Sequence, residues 1–405
     1  MEGYEREVVW WLSRTPGWGA VKLSQLAALV GRPLSIRQFV EEAGDNAETA
    51  LLFLSENLKK RWEQAGERLS DEKPRITAKD LMRLWRHRKE FAEYREDFWY
   101  WREQGIRFVT LWDGEYPKRL LPLYGRPFAL YVRGELPSEV RPAAAVIGAR
   151  ACSDYGARQS RRFAKELAGA GVQIISGLAY GVDSEGHRGA LQAGVRGATW
   201  AVLGCGVEQC YPKEHERLAA QILENGGGLL SEFPPGTEPA ARNFPIRNRV
   251  ISGLSDCILV MEARKRSGSL ITVDQALEQG REVFALPGRV GDRLSEGCHQ
   301  LIQNGAALLT DSGQVLEFLT AAGKETAEKA KESPAGEPER TESKEDGLSV
   351  SQKIYACMDE NGRSVDEILA RTGFSLVQVR AALLELLFDG KILEKGKGYY
   401  IRTDF

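Results

Sequence analysis

Apolar residues between positions 141 and 320 form short runs, separated by longer segments with helical periodicity. The runs predict strands at AAAVIGA (143–149), VQIISG (172–177), ATWAVLG (198–204), GGLLSE (227–232), CILVMEA (257–263) and EVFALPG (282–288), with a further candidate at ALLT (307–310). Near-continuous apolar strands with amphipathic helices between them are typical of a parallel sheet covered on both faces. The pattern therefore predicts an α/β fold with a Rossmann-like, doubly wound, mostly parallel sheet.

The residues that precede this alternation show two other patterns. Residues 1–85 carry apolar residues at helical spacing, which predicts an N-terminal helical domain of the SAM-like type. Residues 86–140 contain the strand-like runs IRFVTLWD and FALYVRG. We therefore expect them to extend the core at 141–320 into a Rossmann domain over 86–320.

The C-terminal part divides into a linker and a small domain. Residues 321–347 contain no aromatic residue and no Val, Ile or Leu, so they predict a flexible linker. Residues 348–405 read as three helices followed by a hairpin, KILEKGKGYYIR, which is typical of a winged helix.

Composition narrows the possible functions. The chain has 405 residues, of which 42% are hydrophobic, and a net charge of −2, so any nucleic-acid binding must come from a local basic patch. No apolar run is long enough to span a membrane, and MEGYEREVVWWLSR does not resemble a signal peptide. Six scattered cysteines form no CxxC or zinc-like spacing. We expect a cytoplasmic protein without a bound metal or cofactor.

Ligands of a doubly wound sheet bind outside the carboxyl ends of its strands, so the residues there are the candidates. The dinucleotide pattern GxGxxG is absent, and Arg150 stands at the tip of the first strand-to-helix turn. Ser176 and Gly177 end the second strand. Ser267, Gly268 and Ser269 open a helix after the fifth strand, where backbone N–H groups favour a phosphate. An ordinary N-cap is the alternative for these serines.

The segment ARNFPIRNRVISG (241–253) interleaves arginines with an aromatic residue, as surfaces that hold single-stranded nucleic acid do. We interpret it as a turn stiffened by Pro245. Phe244 can stack on a base, and we expect Arg247 and Arg249, rather than Arg242, to face phosphates. In the alternative interpretation Phe244 fills the core and an arginine pairs with Glu232 or Asp256.

No set of residues identifies a reaction, and no catalytic residue is predicted. The sequence contains neither GxSxG nor HExxH. Asp183, Glu185 and Glu232 lie near the candidate site and could serve as acids or bases. Such carboxylates more commonly cap helices or orient arginines.

Many motifs occur in one order along the chain: VIGAR, YG (155–156), SGLAYGVDSEGHRGAL, AVLGCG, YP (211–212), SEFPPG, NFPIRNRVISGLSD, SGSLIT, FALPG and GCHQLIQNGA. In this the chain resembles the DNA-processing protein A (DprA, or Smf) family. The resemblance implies a non-enzymatic recombination mediator that binds single-stranded DNA, protects incoming DNA and loads RecA during natural transformation. It also implies a homodimer formed through the Rossmann domain.

The resemblance further implies a set of DNA-binding residues: Arg150, Ser176, Gly177, Asn243, Phe244, Arg247, Asn248, Arg249, Ser267, Gly268 and Ser269. Tyr180 is a departure, because many relatives carry arginine there.

The flanking domains offer further candidate DNA contacts. Gly17 and Gly19 lie in a turn that is either a helix-hairpin-helix contact or a plain interhelical turn. Arg371, Arg380 and Lys397 are candidates in the winged helix, which could instead bind protein. Two other functions stay open, namely a nucleotide-processing Rossmann-like enzyme and a duplex-DNA-binding regulator that acts through the winged helix.

Overall fold

The computed structural model describes residues 3–65, 75–332, 350–358 and 363–372, and after them positions 374, 379, 382–383, 386, 392–394 and 399–402. The chain divides into two compact units, Met1–Lys331 and Glu332–Phe405. Each unit is described by itself below.

The described part of the first unit contains a nine-stranded sheet in the order β1-β2-β6-β5-β4-β3-β7-β8-β9. Its strands are Ile106–Thr110 (β1), Ala129–Gly134 (β2), Ala143–Ile147 (β3), Gln173–Ser176 (β4), Thr199–Val202 (β5), Gly228–Ser231 (β6), Cys257–Val260 (β7), Glu282–Ala285 (β8) and Ala307–Leu308 (β9). The β1–β2 and β2–β6 pairs are antiparallel, and the remaining pairs are parallel. The predicted Rossmann-like fold is confirmed, with a strand in each predicted run.

Helices precede the sheet and alternate with its parallel strands. Their bounds are Gly3–Arg14 (α1), Ala20–Val30 (α2), Pro33–Glu41 (α3), Ala47–Ala65 (α4), Ala78–His87 (α5), Phe91–Glu103 (α6), Asp154–Gly169 (α7), Val182–Gln192 (α8), Glu216–Glu224 (α9), Asn243–Gly253 (α10), Gly268–Glu278 (α11), Glu296–Gln303 (α12) and Ser312–Glu332 (α13).

Both faces of the parallel strands are buried, which explains their near-continuous apolar sequence. All five residues of β3 are buried, and they alternate between two cores. Ala144 and Val146 join a cluster that includes Phe163 of α7, whereas Ala145 and Ile147 join a cluster that includes Val250 of α10. This alternation follows from the two-residue period of a strand.

The strand order changes direction between β3 and β7, and this change positions the site. The chain runs from β3 through β4 and β5 towards β6 on one side, then returns to β7 and continues outward on the other. Ile147 and Val260, the last residues of β3 and β7, lie opposite each other. The loops that follow these two strands leave the sheet in diverging directions, which opens a crevice between them.

The N-terminal helices pack against the antiparallel edge of the sheet. Trp10 of α1 is fully buried, and its ring centroid lies 5.1 Å from those of Phe108 in β1 and Tyr131 in β2. One hydrophobic core therefore spans residues on both sides of the boundary that the sequence places at residue 85.

Helix α13 extends to Glu332 and so enters the segment 321–347 that the sequence predicts as a flexible linker. Alanine, glutamate and lysine dominate this part, and all three favour helix. The rest of the predicted linker, 333–347, lies outside the described residues.

The second unit contains helices Val350–Ala356 (α14) and Val365–Thr372 (α15). Its strands are Arg363–Ser364 (β10), Ile392–Glu394 (β11) and Tyr399–Arg402 (β12), in an antiparallel sheet of order β10-β12-β11. Ile354, Ile368 and Ile392 are fully buried in its core. Among the described helices of the whole chain, none is long and apolar enough to cross a membrane.

Candidate functional site

A cleft of about 720 Å³ lies at the carboxyl ends of β3 and β7, where the strand order changes direction. Its walls are the β3–α7 loop, helix α10 and the start of α11. The residues that line it include Gly268 and the polar or aromatic Arg150, Asp183, Tyr211, Phe244, Arg247, Asn248, Arg264, Arg266, Ser267 and Ser269. Among the lining residues four are arginines and one is acidic, so the cleft favours an anion.

The β3–α7 loop holds Arg150 at the cleft. The backbone N–H of Ala149 donates to the carbonyl oxygen of Glu262 over 2.8 Å, which ties the loop to β7. Gly181 has a φ of +71° and packs directly on the carbonyls of Ala149 and Arg150, where a side chain would collide. The backbone is thereby fixed while the Arg150 side chain stays exposed, which leaves it free to contact a ligand in the cleft.

The N-terminus of α7, at the far end of the same loop, is closed by Glu262. This carboxylate is only 3% exposed and accepts hydrogen bonds from the backbone N–H of Ser153, over 2.8 Å, and from its hydroxyl. The Ser153 hydroxyl in turn accepts from the N–H of Gly156 over 3.1 Å. A dinucleotide phosphate binds at this helix end in a standard Rossmann fold, and here a carboxylate of the chain itself occupies it.

The segment around Phe244 forms a helix, α10, and not the predicted turn. Pro245 is compatible with this because proline fits within the first turn of a helix, where the backbone N–H has no intrahelical partner. The helix determines which side chains share a face, and it separates the arginines that the sequence analysis grouped together.

Arg247 lies at the floor of the cleft and is 4% exposed. Its Nη1 donates to the carbonyl oxygens of Gly177, over 2.8 Å, and of Val202. Burial lowers the pKa of this guanidinium to about 10, although the nearby Asp183 carboxylate opposes that shift. Arg247 thus joins the ends of β4 and β5, and it brings positive charge to the cleft floor.

Asp183 is the acidic partner of this buried arginine. Its Oδ2 accepts from the backbone N–H groups of Gly177 and Ala179 over 3.1 and 3.4 Å. Burial raises the pKa of the carboxyl, against the opposing effect of Arg247. A side chain at Gly177 would lie 2.7 Å from both Arg247 Nη2 and Asp183 Oδ2, so only glycine fits between them.

Ser176 is therefore a framework residue, contrary to its predicted role as a DNA contact, whereas Gly177 borders a small cavity beside the cleft. Both are buried, and the Ser176 hydroxyl donates to the carbonyl of Val146 over 2.7 Å. Asn243 is likewise 6% exposed, with its Nδ2 donating to the carbonyl of Gly204 over 3.1 Å. Ser176 and Asn243 thus lie at the predicted edge of the sheet, but their side chains are buried and do not line the cleft.

The prediction that Arg249 faces the ligand is wrong. Arg249 forms an ion pair with Glu232, and both side chains are largely buried. Residues two apart on a helix point in nearly opposite directions, so Arg247 and Arg249 cannot line one surface of α10. The alternative pairing with Glu232 is the one observed. Arg242 is exposed but is not among the residues that line the cleft.

Phe244 lies at the lip of the cleft and is partly buried. Its ring stacks on that of Tyr211, with centroids 5.6 Å apart and an interplanar angle of 29°. The guanidinium carbons of Arg150 and Arg247 lie 5.1 and 5.8 Å from the Phe244 centroid. Asn248 also lines the cleft and accepts from Nε of Arg247 over 3.1 Å.

The start of α11 forms the opposite wall. Ser267 is its N-cap, and the Ser267 hydroxyl accepts from the N–H of Ser269 over 3.3 Å. Both predicted roles are thus compatible, because the serine caps the helix while the helix end borders the cleft. The exposed Arg264 and Arg266 also line the cleft. Arg264, Arg266 and Tyr211 are not among the predicted site residues, although the run ARKRSGS contained a signal for the two arginines.

The carboxylates considered as possible acids or bases have separate structural partners. Asp183 binds the backbone beside Arg247, as described above. Glu185 pairs with Arg161 and Arg188, which joins α7 to α8. Glu232 pairs with Arg249.

Tyr180, the departure that the resemblance implies, borders a small cavity that adjoins the cleft. Its hydroxyl donates to Oε2 of Glu214 over 2.6 Å, and its ring meets that of His215 edge-on at 5.2 Å. The side chain remains 43% exposed.

The candidate DNA contacts in the N-terminal helices and the winged helix have different surroundings. In the turn that holds Gly17 and Gly19, Trp18 is buried and its Nε1 donates to the carbonyl of Asp80 over 3.1 Å. The turn is therefore anchored on α5, and its two glycines are exposed. Arg371 is exposed on α15, whereas Arg380 and Lys397 lie outside the described residues.

Comparison with known proteins places this geometry in a family. Residues 107–320 match the model of DNA recombination-mediator protein A, and residues 337–396 match that of the DprA winged helix domain. Protein Smf of Escherichia coli K12 is 44% identical over 300 residues, which cover 74% of this chain and 78% of that protein.

Two solved structures are also similar. DNA processing protein A from Streptococcus pneumoniae is 34% identical, with a TM-score of 0.51 over 74% of this chain and 97% of that one. DNA processing protein A from Helicobacter pylori, described for its unique single-stranded DNA binding mode, is 27% identical, with a TM-score of 0.47 over 54% of this chain and 97% of that one. The chain belongs to the DprA/Smf family of DNA recombination mediators.

Proposed function

We propose that the cleft binds single-stranded DNA and that the protein is a non-enzymatic recombination mediator. One observation carries the proposal. The cleft combines the exposed Arg150, Arg264 and Arg266 with the open N-terminus of α11 and with an aromatic pair. Arginines and helix N-termini bind phosphate, and aromatic rings stack on unpaired bases. Membership of a family of DNA recombination mediators supports DNA as the ligand.

The family resemblance extends the proposal to partners. We propose that the protein protects incoming single strands during natural transformation, loads the RecA recombinase onto them and acts in the cytoplasm. We also propose a homodimer formed through the Rossmann domain. These parts rest on the resemblance alone.

The experiment is a binding titration of a fluorescently labelled oligothymidine, followed by anisotropy. Arg150→Ala and Arg266→Ala should each weaken binding about ten-fold, because each removes a charged contact to phosphate. Each variant should also reduce the slope of log K against log salt by about 0.7, the contribution of one phosphate on a single strand.

Arg133→Ala is the matched control, because Arg133 is exposed on β2 and lies outside the cleft lining. It should bind as wild type does. Equal affinities for the wild type and both cleft variants would reject the cleft as the DNA site.

The nucleotide-processing alternative draws less support from the site. Catalysis by paired carboxylates requires two such groups at one position. Asp183 and Glu185 are each engaged in separate contacts, as is Glu232.

A further inference from the structure

We infer that Tyr211 is the platform on which a DNA base stacks, with Phe244 as its support. The inference rests on the proposed function and gives a role to Tyr211, which the predicted set of DNA-binding residues does not include. Tyr211 lies in the loop between β5 and α9, and its side chain is 41% exposed. Its ring lies almost parallel to that of Phe244, at 5.6 Å between centroids.

Phe244 by itself offers little free surface for a base. One face of its ring is taken by Tyr211. Its edge rests on Gly204, so closely that a side chain at Gly204 would lie 2.8 Å from Cδ1 of the ring. The guanidinium of Arg150 also lies beside the ring, 5.1 Å from its centroid. A base could reach Phe244 only by displacing one of these neighbours.

Tyr211, in contrast, is the more exposed residue of the pair. A stacked neighbour holds the tyrosine ring in place, so a base that binds it orders few new groups. Tyr211 lines the main cleft and also the small adjoining cavity, where Arg150 is a neighbour. A base on Tyr211 and its phosphate at Arg150 would therefore belong to one nucleotide.

This arrangement identifies the ligand class more narrowly than the charge of the cleft does. Arginines attract the phosphates of single and double strands alike, whereas an exposed ring can stack only on a base that has left its own stack. Tyr211 is thus the residue that gives the cleft a preference for single strands over duplex.

The test uses the full-length protein and an oligothymidine that carries one 2-aminopurine, whose fluorescence falls when the base stacks. We compare wild type with Tyr211→Phe, Tyr211→Leu and Tyr211→Ala. Tyr211→Phe keeps the ring and should retain affinity and quenching. Tyr211→Leu keeps apolar support for Phe244 but removes the ring, so it and Tyr211→Ala should bind about ten-fold more weakly, with the quenching lost.

Tyr124→Ala is the control, because Tyr124 is 64% exposed and lies outside the cleft lining. It should behave as wild type. Thermal melts confirm that each variant is folded. Duplex affinity should change less than two-fold in every Tyr211 variant.

The outcomes separate this inference from the proposed function. If Arg150→Ala weakens binding while Tyr211→Leu and Tyr211→Ala do not, the cleft stands and the tyrosine platform is rejected. If Tyr211→Leu binds the oligothymidine and quenches 2-aminopurine fluorescence as wild type does, the bulk of the side chain and not ring stacking determines affinity. The tyrosine platform is then also rejected. If neither the arginine nor the tyrosine variants change affinity, the proposed function itself fails.

Discussion

The two helices that start beside the cleft, α7 and α11, have N-termini with opposite environments. Both follow strands at the change of direction in the sheet, β3 and β7, and both begin with a serine N-cap, Ser153 and Ser267. The start of α7 is filled by the buried carboxylate of Glu262, whereas the start of α11 borders the cleft. The same architecture thus supplies two potential phosphate sites, and the chain itself closes one of them.

The two helix starts therefore contribute to different properties, one to folding and the other to ligand binding. A helix N-terminus carries a partial positive charge that stabilises an anion. At α7 the anion is Glu262, so that charge contributes to folding. At α11 the charge remains available and is joined by the exposed Arg264 and Arg266. We therefore expect changes at α7 to alter stability and changes at α11 to alter DNA binding.

The largest expected effect comes from a matched pair of glycines. Gly156 lies against the Glu262 carboxylate, where a side chain would collide with it, whereas a side chain at Gly268 would meet nothing within 4 Å. Gly156→Ala should lower the free energy of unfolding by about 2 to 3 kcal/mol, because the buried carboxylate must shift away from Ser153. Gly268→Ala should leave it within about 0.5 kcal/mol of wild type.

Urea unfolding followed by tryptophan fluorescence measures this pair, since all nine tryptophans lie in the first unit. Equal losses of stability in the two variants would show that the two helix ends are packed alike.

Replacing one charged side chain at each helix end with glutamine has the next largest expected effect. In Glu262→Gln an amide replaces the carboxylate that accepts from Ser153, which should lower the free energy of unfolding by about 2 kcal/mol. DNA affinity of the folded variant should stay within about two-fold of wild type. Arg266→Gln should do the reverse, with stability unchanged within about 0.5 kcal/mol and oligothymidine affinity reduced about ten-fold.

If Glu262→Gln weakens DNA binding as strongly as Arg266→Gln does, the assignment of DNA binding to the α11 end alone is rejected. That result would place the α7 end in the binding site. Melting curves and anisotropy titrations on the same preparations decide between these outcomes.

Much of the fold and part of the candidate site were predictable from the sequence, because they depend on local patterns of apolar and polar residues. Short runs such as AAAVI and CILV, alternating with amphipathic helices, are typical of a parallel sheet covered on both faces, and this alternation predicts the Rossmann-like fold. Arg150 and the SGS turn were identified as candidates because they follow strands directly. Strand ends reach the ligand edge of the sheet whatever the details of packing.

The wrong predictions concern side chains whose orientation or burial depends on structure that the sequence pattern did not indicate. Pro245 suggested a turn, and only a helix at 243–253 separates Arg247 from Arg249. Burial of Ser176 and Asn243 depends on neighbours that are distant in sequence, Val146 and Gly204. Tyr211 was missed for the same reason, because its partner Phe244 is brought to it only by the tertiary fold.

The two N-cap serines give the smallest and most direct test of the comparison. The Ser153 hydroxyl both donates to Glu262 and accepts from the N–H of Gly156, so Ser153→Ala should cost about 1.5 kcal/mol of stability and leave DNA affinity unchanged. The Ser267 hydroxyl accepts a longer bond of 3.3 Å from the N–H of Ser269 and shares a 2.7 Å bond with the Ser269 hydroxyl. Neither bond involves a buried carboxylate, so Ser267→Ala should cost less than Ser153→Ala, about 0.5 to 1 kcal/mol.

Ser267→Ala should nevertheless weaken oligothymidine binding about two- to three-fold, because it removes a hydroxyl at the wall of the cleft and loosens the helix end beside it. The ratio of the two effects is the informative quantity. A stability loss without a binding loss at Ser153, and a binding loss with little stability loss at Ser267, would support the division of roles. The opposite pattern would assign the phosphate to α7, where Glu262 would then have to move aside before DNA could bind.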